Sequence, residues 1–146
     1  MEVVDNEGRM VPKKCRVEQL NPNLEWQKSF YFSGLRGLST EIRSFCFKLL
    51  HQLLLFNELL HKLQPNNPAA CSLCPANAPE SPLHAFFLCE LNCQASQDLI
   101  LLVRHYDSSL TAEKALCFDI HFTESIYELQ TMLMLATGMH LIWKNR

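Results

Sequence analysis

A chain of 146 residues with 48% hydrophobic and 19% charged side chains has the composition of one globular domain with a tail, which excludes a disordered class. Its net charge of −2 is unevenly spread: nine Lys or Arg stand against four Glu between Arg9 and Lys62, and four basic against eight acidic residues from Leu63 onward. Seven cysteines, an odd number, argue against a complete disulfide framework and point to a metal site with scattered buried thiols in a reducing compartment.

Residues 1–37 read as a flexible N-terminal extension, with mixed charges, Pro12 and Pro22 and no apolar period. Met1 to Gly8 has no signal-peptide pattern, and the run Met132–Trp143 is too short to span a bilayer, so an intracellular protein of the nucleus or cytoplasm is expected, with no membrane partner. Within the extension, Trp26, Phe30, Tyr31, Phe32 and Leu35 form an aromatic segment over 24–35 that can dock on a core or stack on unpaired bases, docking being the commoner use.

From Ser39 or Thr40 a helical period begins. Ile42, Phe45, Cys46, Leu49, Leu50, Leu53, Phe56, Leu60 and Leu63 recur at three- and four-residue steps, as one helix or as two divided near Leu55. Gln64-Pro65-Asn66-Asn67-Pro68 ends it. A loop follows that Pro75, Pro79 and Pro82 keep irregular, and the run from His84 to Cys89 begins a short helix. Gln94–Tyr106 is expected as a helix stopped at Asp107-Ser108-Ser109, and Thr111 as the cap of a short one through about Cys117. Thr123 caps the last helix, with Glu124 and Glu128 at its positive end and Lys144 and Arg146 at its negative end. From Ile126 to Trp143 apolar residues cover almost every side, the pattern of a buried central helix. The fold class expected is mainly α, a small helical bundle with a Pro-rich loop stapled by one structural zinc.

That expectation rests on Cys71, Cys74, His84 and Cys89. Zinc takes four soft or borderline ligands in a tetrahedron, and a Cys-x2-Cys turn offers two thiolates to one ion. A later His and Cys can fill the other corners, and ligation of this kind contributes an apparent ~10–16 kcal/mol to folding. Cys93, four residues past Cys89, competes for the fourth position. Four good ligands close the shell, whereas catalytic zinc keeps a position open. A zinc deaminase would place His-x-Glu before its thiol pair; here the histidine comes after it, with Phe86 where the glutamate belongs.

Elsewhere, Cys117, Asp119 and His121 invite a Cys–His nucleophile reading, but no oxyanion hole or nucleophile elbow accompanies them, and no enzyme activity or small-molecule substrate is expected. Cys46 belongs to the helix's apolar face, and His51, His61, His105 and His140 lack metal-ligand spacing. No Lys or Arg occurs between Lys62 and Arg104, so a grip on RNA or DNA phosphate would fall to the first half: Lys13, Lys14, Arg16, Lys28, Arg36, Arg43 and Lys48.

Several segments appear in a familiar order: Leu38-Ser39, Phe45-x-Phe47-Lys48-Leu49-Leu50-His51-x-Leu53-Leu54, Cys71-Ser72-Leu73-Cys74, Glu80, His84-Ala85-Phe86-Phe87-x-Cys89, and Leu135-Ala136-Thr137-Gly138 to Ile142-Trp143. Together, over residues 38–146, they resemble the zinc-binding domain that follows the reverse transcriptase of non-LTR retrotransposons. The resemblance implies a zinc-binding helical domain over 38–146 with ligands Cys71, Cys74, His84 and Cys89, leaving Cys93 out. It also implies a role in helping a polymerase hold its RNA or target DNA. The family often has Leu-Pro-Thr and then a basic residue where this chain reads Leu54-Leu55-Phe56 and Leu59, which would let the two helical pieces fuse and removes one phosphate contact. No Asp-Asp pair is present for two-metal polymerase chemistry. The expectation is a detached, non-catalytic zinc-binding module. The alternative is a protein-interaction module that docks a protein partner through its apolar last helix.

Overall fold

The computed structural model describes residues 2–4, 10–12, 37–120 and 128–146. They are mainly helical: α1 spans Thr40–Leu50, α2 Asn57–Leu63, a single π turn His84–Leu88, α3 Cys93–Arg104, α4 Ala112–Leu116 and α5 Glu128–Lys144. Two three-residue strands, β1 (Glu2–Val4) and β2 (Met10–Pro12), pair antiparallel with Val3 opposite Val11. The ladder falls within the N-terminal extension read over residues 1–37. Regularity over so few residues leaves no period for a sequence reading to find.

Ser39 starts α1, its hydroxyl accepting the Ile42 N–H at 3.3 Å, and Phe45, Cys46, Leu49 and Leu50 form the buried face. The helix ends in a Schellman motif. Leu53 N–H reaches Lys48 O at 2.7 Å, Gln52 N–H reaches Leu49 O at 3.0 Å, and Gln52 takes the left-handed position at φ 54° that glycine usually fills. The chain therefore turns at Gln52, and the two helical pieces do not fuse although no proline stands between them. The turn also changes which leucines are inside. The outcome is two helices divided near Leu55 rather than one, and Leu53 and Leu63 are exposed and α2 buries no residue, although both leucines recur in the helical period.

The core lies between α1, α3, α5 and the π turn, which pack on one another in the pairs α3–α5, α3–π turn, α1–α5 and α5–π turn. Phe86 of the π turn is its centre, edge-on to Phe45 and Phe56, each at 6.2 Å between centroids. The Ser96 hydroxyl of α3 donates to the Phe86 carbonyl, which ties the turn to that helix. On α5, Gly138 lets α3 approach closely: a Cβ there would fall 2.8 Å from both Leu99 methyls. Met132, Leu135, Ala136 and Met139 carry the buried face of α5, while Leu129 and Leu141 are exposed. Among the described residues the last helix is thus packed on one side rather than buried all round. Its expected cap, Thr123, lies with Glu124 outside the described residues.

Thr111 caps α4 by accepting the Lys114 N–H. That helix closes like α1: Asp119 N–H bonds Lys114 O, Phe118 N–H bonds Ala115 O, and Phe118 sits at φ 53° with its ring fully buried. A left-handed residue with a side chain costs ~1–2 kcal/mol, which burial of a phenyl ring offsets here.

Candidate metal centre

Pro68 to Pro82 builds the first half of the site. Ala70 and Pro79 form an antiparallel bridge, with Cys71 N–H on Ala78 O and Glu80 N–H on Ala69 O. Asn77, at φ 48°, makes the turn between them. This closes a small loop that presents Cys71 and Cys74 from the same side.

The π turn builds the second half. Its closing bond runs from Cys89 N–H to His84 O at 2.7 Å, five residues apart. In an α-helix, with ~3.6 residues per turn, side chains five apart diverge by about 140°. A π turn winds more residues into one turn and returns the fifth to the same side. In this chain it is the π turn that brings His84 and Cys89 to one side.

The ligand atoms of Cys71, Cys74, His84 and Cys89 all lie within 4.8 Å of one another, and all four residues are buried. Cys71 Sγ is 3.9 Å from Cys89 Sγ, too far for a disulfide, and Cys74 Sγ is 3.3 Å from His84 Nε2. The group can hold a metal ion. Cys93 is not in it: its thiol points to the Glu90 carbonyl, 3.6 Å away.

Backbone dipoles prepare part of this cluster for negative charge. The Ala76 N–H, helped by the thiols of Cys71 and Cys89 and by the Glu90 N–H, holds Cys74 below its ordinary value against the opposing effect of burial. For Cys89, burial dominates and pushes the thiol up to about 11, with the Leu91 N–H opposing and the other two sulfurs adding to the rise. A divalent cation between the sulfurs would reverse that balance, since a coordinated thiol loses its proton.

Glu80 is a site residue whose role spacing alone does not reveal. It is wholly buried, and its Oε2 accepts the Asn57 N–H at 2.9 Å, filling the cap that Phe56 has no side-chain oxygen to provide for α2. Asn57 in turn donates its amide to Ala70 O at 2.7 Å, beside Cys71. Glu80 Oε1 pairs with Nη2 of Arg146. The only local sign is a carboxylate within a stretch that lacks any basic residue; its partners lie 23 and 66 positions away.

Among the basic residues expected to meet nucleic acid, Lys48 is exposed on α1, whereas Arg43 is half-buried with its Nε enclosed. Lys13, Lys14, Arg16, Lys28 and Arg36 lie outside the described residues, as does the aromatic segment 24–35. Beside Lys48, the exposed Phe47 ring stacks on His51 at 4.2 Å between centroids. Cys117 is half-buried, and burial first, then the Asp119 charge, pushes its thiol up to about 11, the opposite of an activated nucleophile. Its expected companion His121 is outside the described residues. No helix among the described residues is long and apolar enough to cross a membrane.

Comparison with protein-family models, with curated proteins and with solved structures finds no match to this chain.

Proposed function

We propose that Cys71, Cys74, His84 and Cys89 hold one structural zinc ion, and that the chain is a non-catalytic zinc-binding module of the kind that follows retrotransposon reverse transcriptases, helping to hold RNA or DNA. The carrying observation is the closed, buried set of three sulfurs and one imidazole nitrogen. Soft and borderline donors with no oxygen among them suit zinc over calcium or magnesium. Bond lengths of ~2.3 Å to sulfur and ~2.0–2.1 Å to nitrogen set tetrahedron edges near 3.8 Å for S···S and about 3.6 Å for S···N. The distances of 3.9 and 3.3 Å fall around those edges before any ion draws the ligands together. Four protein donors leave no coordination position for a substrate, which favours a staple over a catalyst. The described cysteines are free thiols, in keeping with a reducing compartment.

The nucleic-acid part of this reading is supported by the exposed Phe47 ring, tilted 37° against half-buried His51 and followed in the chain by the exposed Lys48. Bases stack on such rings without sequence preference, each worth ~1–3 kcal/mol. The zinc-loaded protein is to be titrated into a labelled structured RNA at several salt concentrations. Binding should fall steeply with salt, Lys48→Ala should reduce the log–log slope by about 0.7, and Phe47→Ala should weaken binding at every salt. No binding even at low salt overturns the nucleic-acid role.

A protein-interaction module is the second reading. It draws on Leu129 and Leu141, which α5 leaves at the surface. A defined dimer or a captured protein partner, lost when both leucines become Ser, is its expected signature.

A further inference from the structure

A wholly buried carboxylate needs partners, and those of Glu80 join two parts of the chain far apart in sequence. One is Asn57 at the start of α2; the other is Arg146, just past the end of α5. The Arg146 guanidinium also lies over the rings of Phe56 and Trp143, 5.1 and 4.8 Å from their centroids, and those two rings meet edge-on at 5.0 Å. Glu80 itself belongs to the metal loop. Pro79, before it, bridges Ala70 beside Cys71, and His84 follows four residues later. A second juxtaposition does not involve the carboxylate: Ser72 and Leu73, between Cys71 and Cys74, line a cleft of about 380 Å³ together with Trp143, Lys144 and Arg146.

We propose that metal occupancy and docking of residues 143–146 are coupled through Glu80 and Arg146, so that the metal loop and the last turn form a latch closed by the ion. This rests on the metal-centre reading above. With the ion bound, Cys71 and Cys74 are fixed to the π turn, and the intervening chain holds Glu80 where Arg146 meets it. With the ion gone, the loop keeps its β-bridge and its bonds to the start of α2 but loses its tie to the π turn, and the carboxylate shifts relative to Arg146. A buried ion pair tolerates little of this, because each charge is expensive to leave alone. Linkage makes the effect reciprocal: docking of Arg146 tightens metal binding by the factor with which the metal tightens docking.

Zinc affinity is measured by chelator competition on the full chain for the wild type, Arg146→Ala and Asn145→Ala. Arg146→Ala should bind zinc about tenfold more weakly. Asn145→Ala, from the same turn but exposed and outside the lining of that cleft, should match the wild type. Equal affinity for wild type and Arg146→Ala overturns the latch and leaves the metal centre intact; a wild type that takes up no zinc overturns the metal centre itself. Should Arg146→Ala fail to fold, Trp143 emission in a Trp26→Phe background decides. Zinc removal should shift that emission to the red while the helical circular dichroism persists. An unmoved emission, or a shift that comes only with loss of the helices, overturns the latch.

Discussion

Replacing Cys89 with serine separates the metal cluster from its nearest rival. Cys89 is fully buried, 3.9 Å from the Cys71 sulfur, whereas Cys93 is partly exposed and touches the Glu90 carbonyl. Serine preserves the volume but leaves a hydroxyl that keeps its proton at neutral pH and binds zinc poorly. If a structural site is worth ~10–16 kcal/mol over four ligands, each contributes about 2.5–4 kcal/mol. That corresponds to roughly a hundred- to thousandfold in affinity. Titration with cobalt(II) makes this visible, because the thiolate-to-metal charge-transfer bands grow with the number of sulfurs bound. Cys89→Ser should lose them at cobalt concentrations that saturate the wild type, and Cys93→Ser should keep them. The metal-free Cys89→Ser protein should retain its helical circular dichroism, since a domain of this length holds ~0.05–0.15 kcal/mol per residue and the main core excludes the cluster. Cobalt binding that survives Cys89→Ser and disappears in Cys93→Ser would refute the assignment of the fourth ligand.

Two further expectations concern the scaffold. Gln52→Gly should stabilise the protein by up to about 1 kcal/mol, because relief of a ~1–2 kcal/mol left-handed penalty exceeds the ~0.5–1 kcal/mol entropy cost of glycine, raising the melting temperature by about 2–4 °C; a lower melting temperature contradicts the Schellman reading. Cys46, fully buried on α1, has its thiol pushed by burial from 9.0 to about 12. Because the folded value is the higher one, this contribution to stability is whole below about pH 9 and is lost as the pH climbs toward 12, with about 2 kcal/mol gone by roughly pH 10.5. Denaturant melts of wild type and Cys46→Ala at pH 8 and about 10.5 should show that extra alkaline loss in the wild type alone, and parallel losses would refute it.

Local chemistry was the legible part. Thr111 caps the helix it was expected to cap, and Ser39, one of the two residues expected to begin α1, caps that one, since a hydroxyl three residues before a free N–H is a short-range signal. The proline pair after Gln64 ends α2 for an equally local reason. What escaped reading depends on backbone states that side chains do not advertise. Gln52 and Phe118 occupy left-handed positions without glycine, so the residue at which α1 turns carries no mark, although a division near Leu55 is one of the two readings of the period. The π turn is written in ordinary helix-compatible residues, and only its hydrogen bond reveals why His84 and Cys89 share a side. The Glu80–Arg146 pair joins a loop to a helix end, and no period links them.

The cluster of Cys71, Cys74 and Cys89, with Leu73 packed on it, is separate from the main apolar core, which runs from Leu38 to Met139 and already closes around Phe86. Zinc would therefore do little for the core directly. What it would fix is the segment from Cys71 to Cys89, whose ends a flexible chain brings together at an entropic cost of roughly (3/2)RT ln n, about 2.5 kcal/mol for this length beyond a constant. Within that segment the π turn sends Ala85, Phe86 and Phe87 into the core, and Glu80 reaches back to α2 and Arg146. An ion at the cluster thus acts on the rest of the fold through two connections, one apolar and one ionic. The apolar one is shared with α3 and α5 and survives without metal. Among the described residues the ionic one is backed only by the bonds of Glu80 to the start of α2 and by the Arg146 guanidinium over Phe56 and Trp143, so the last turn is where the presence of the ion should be felt.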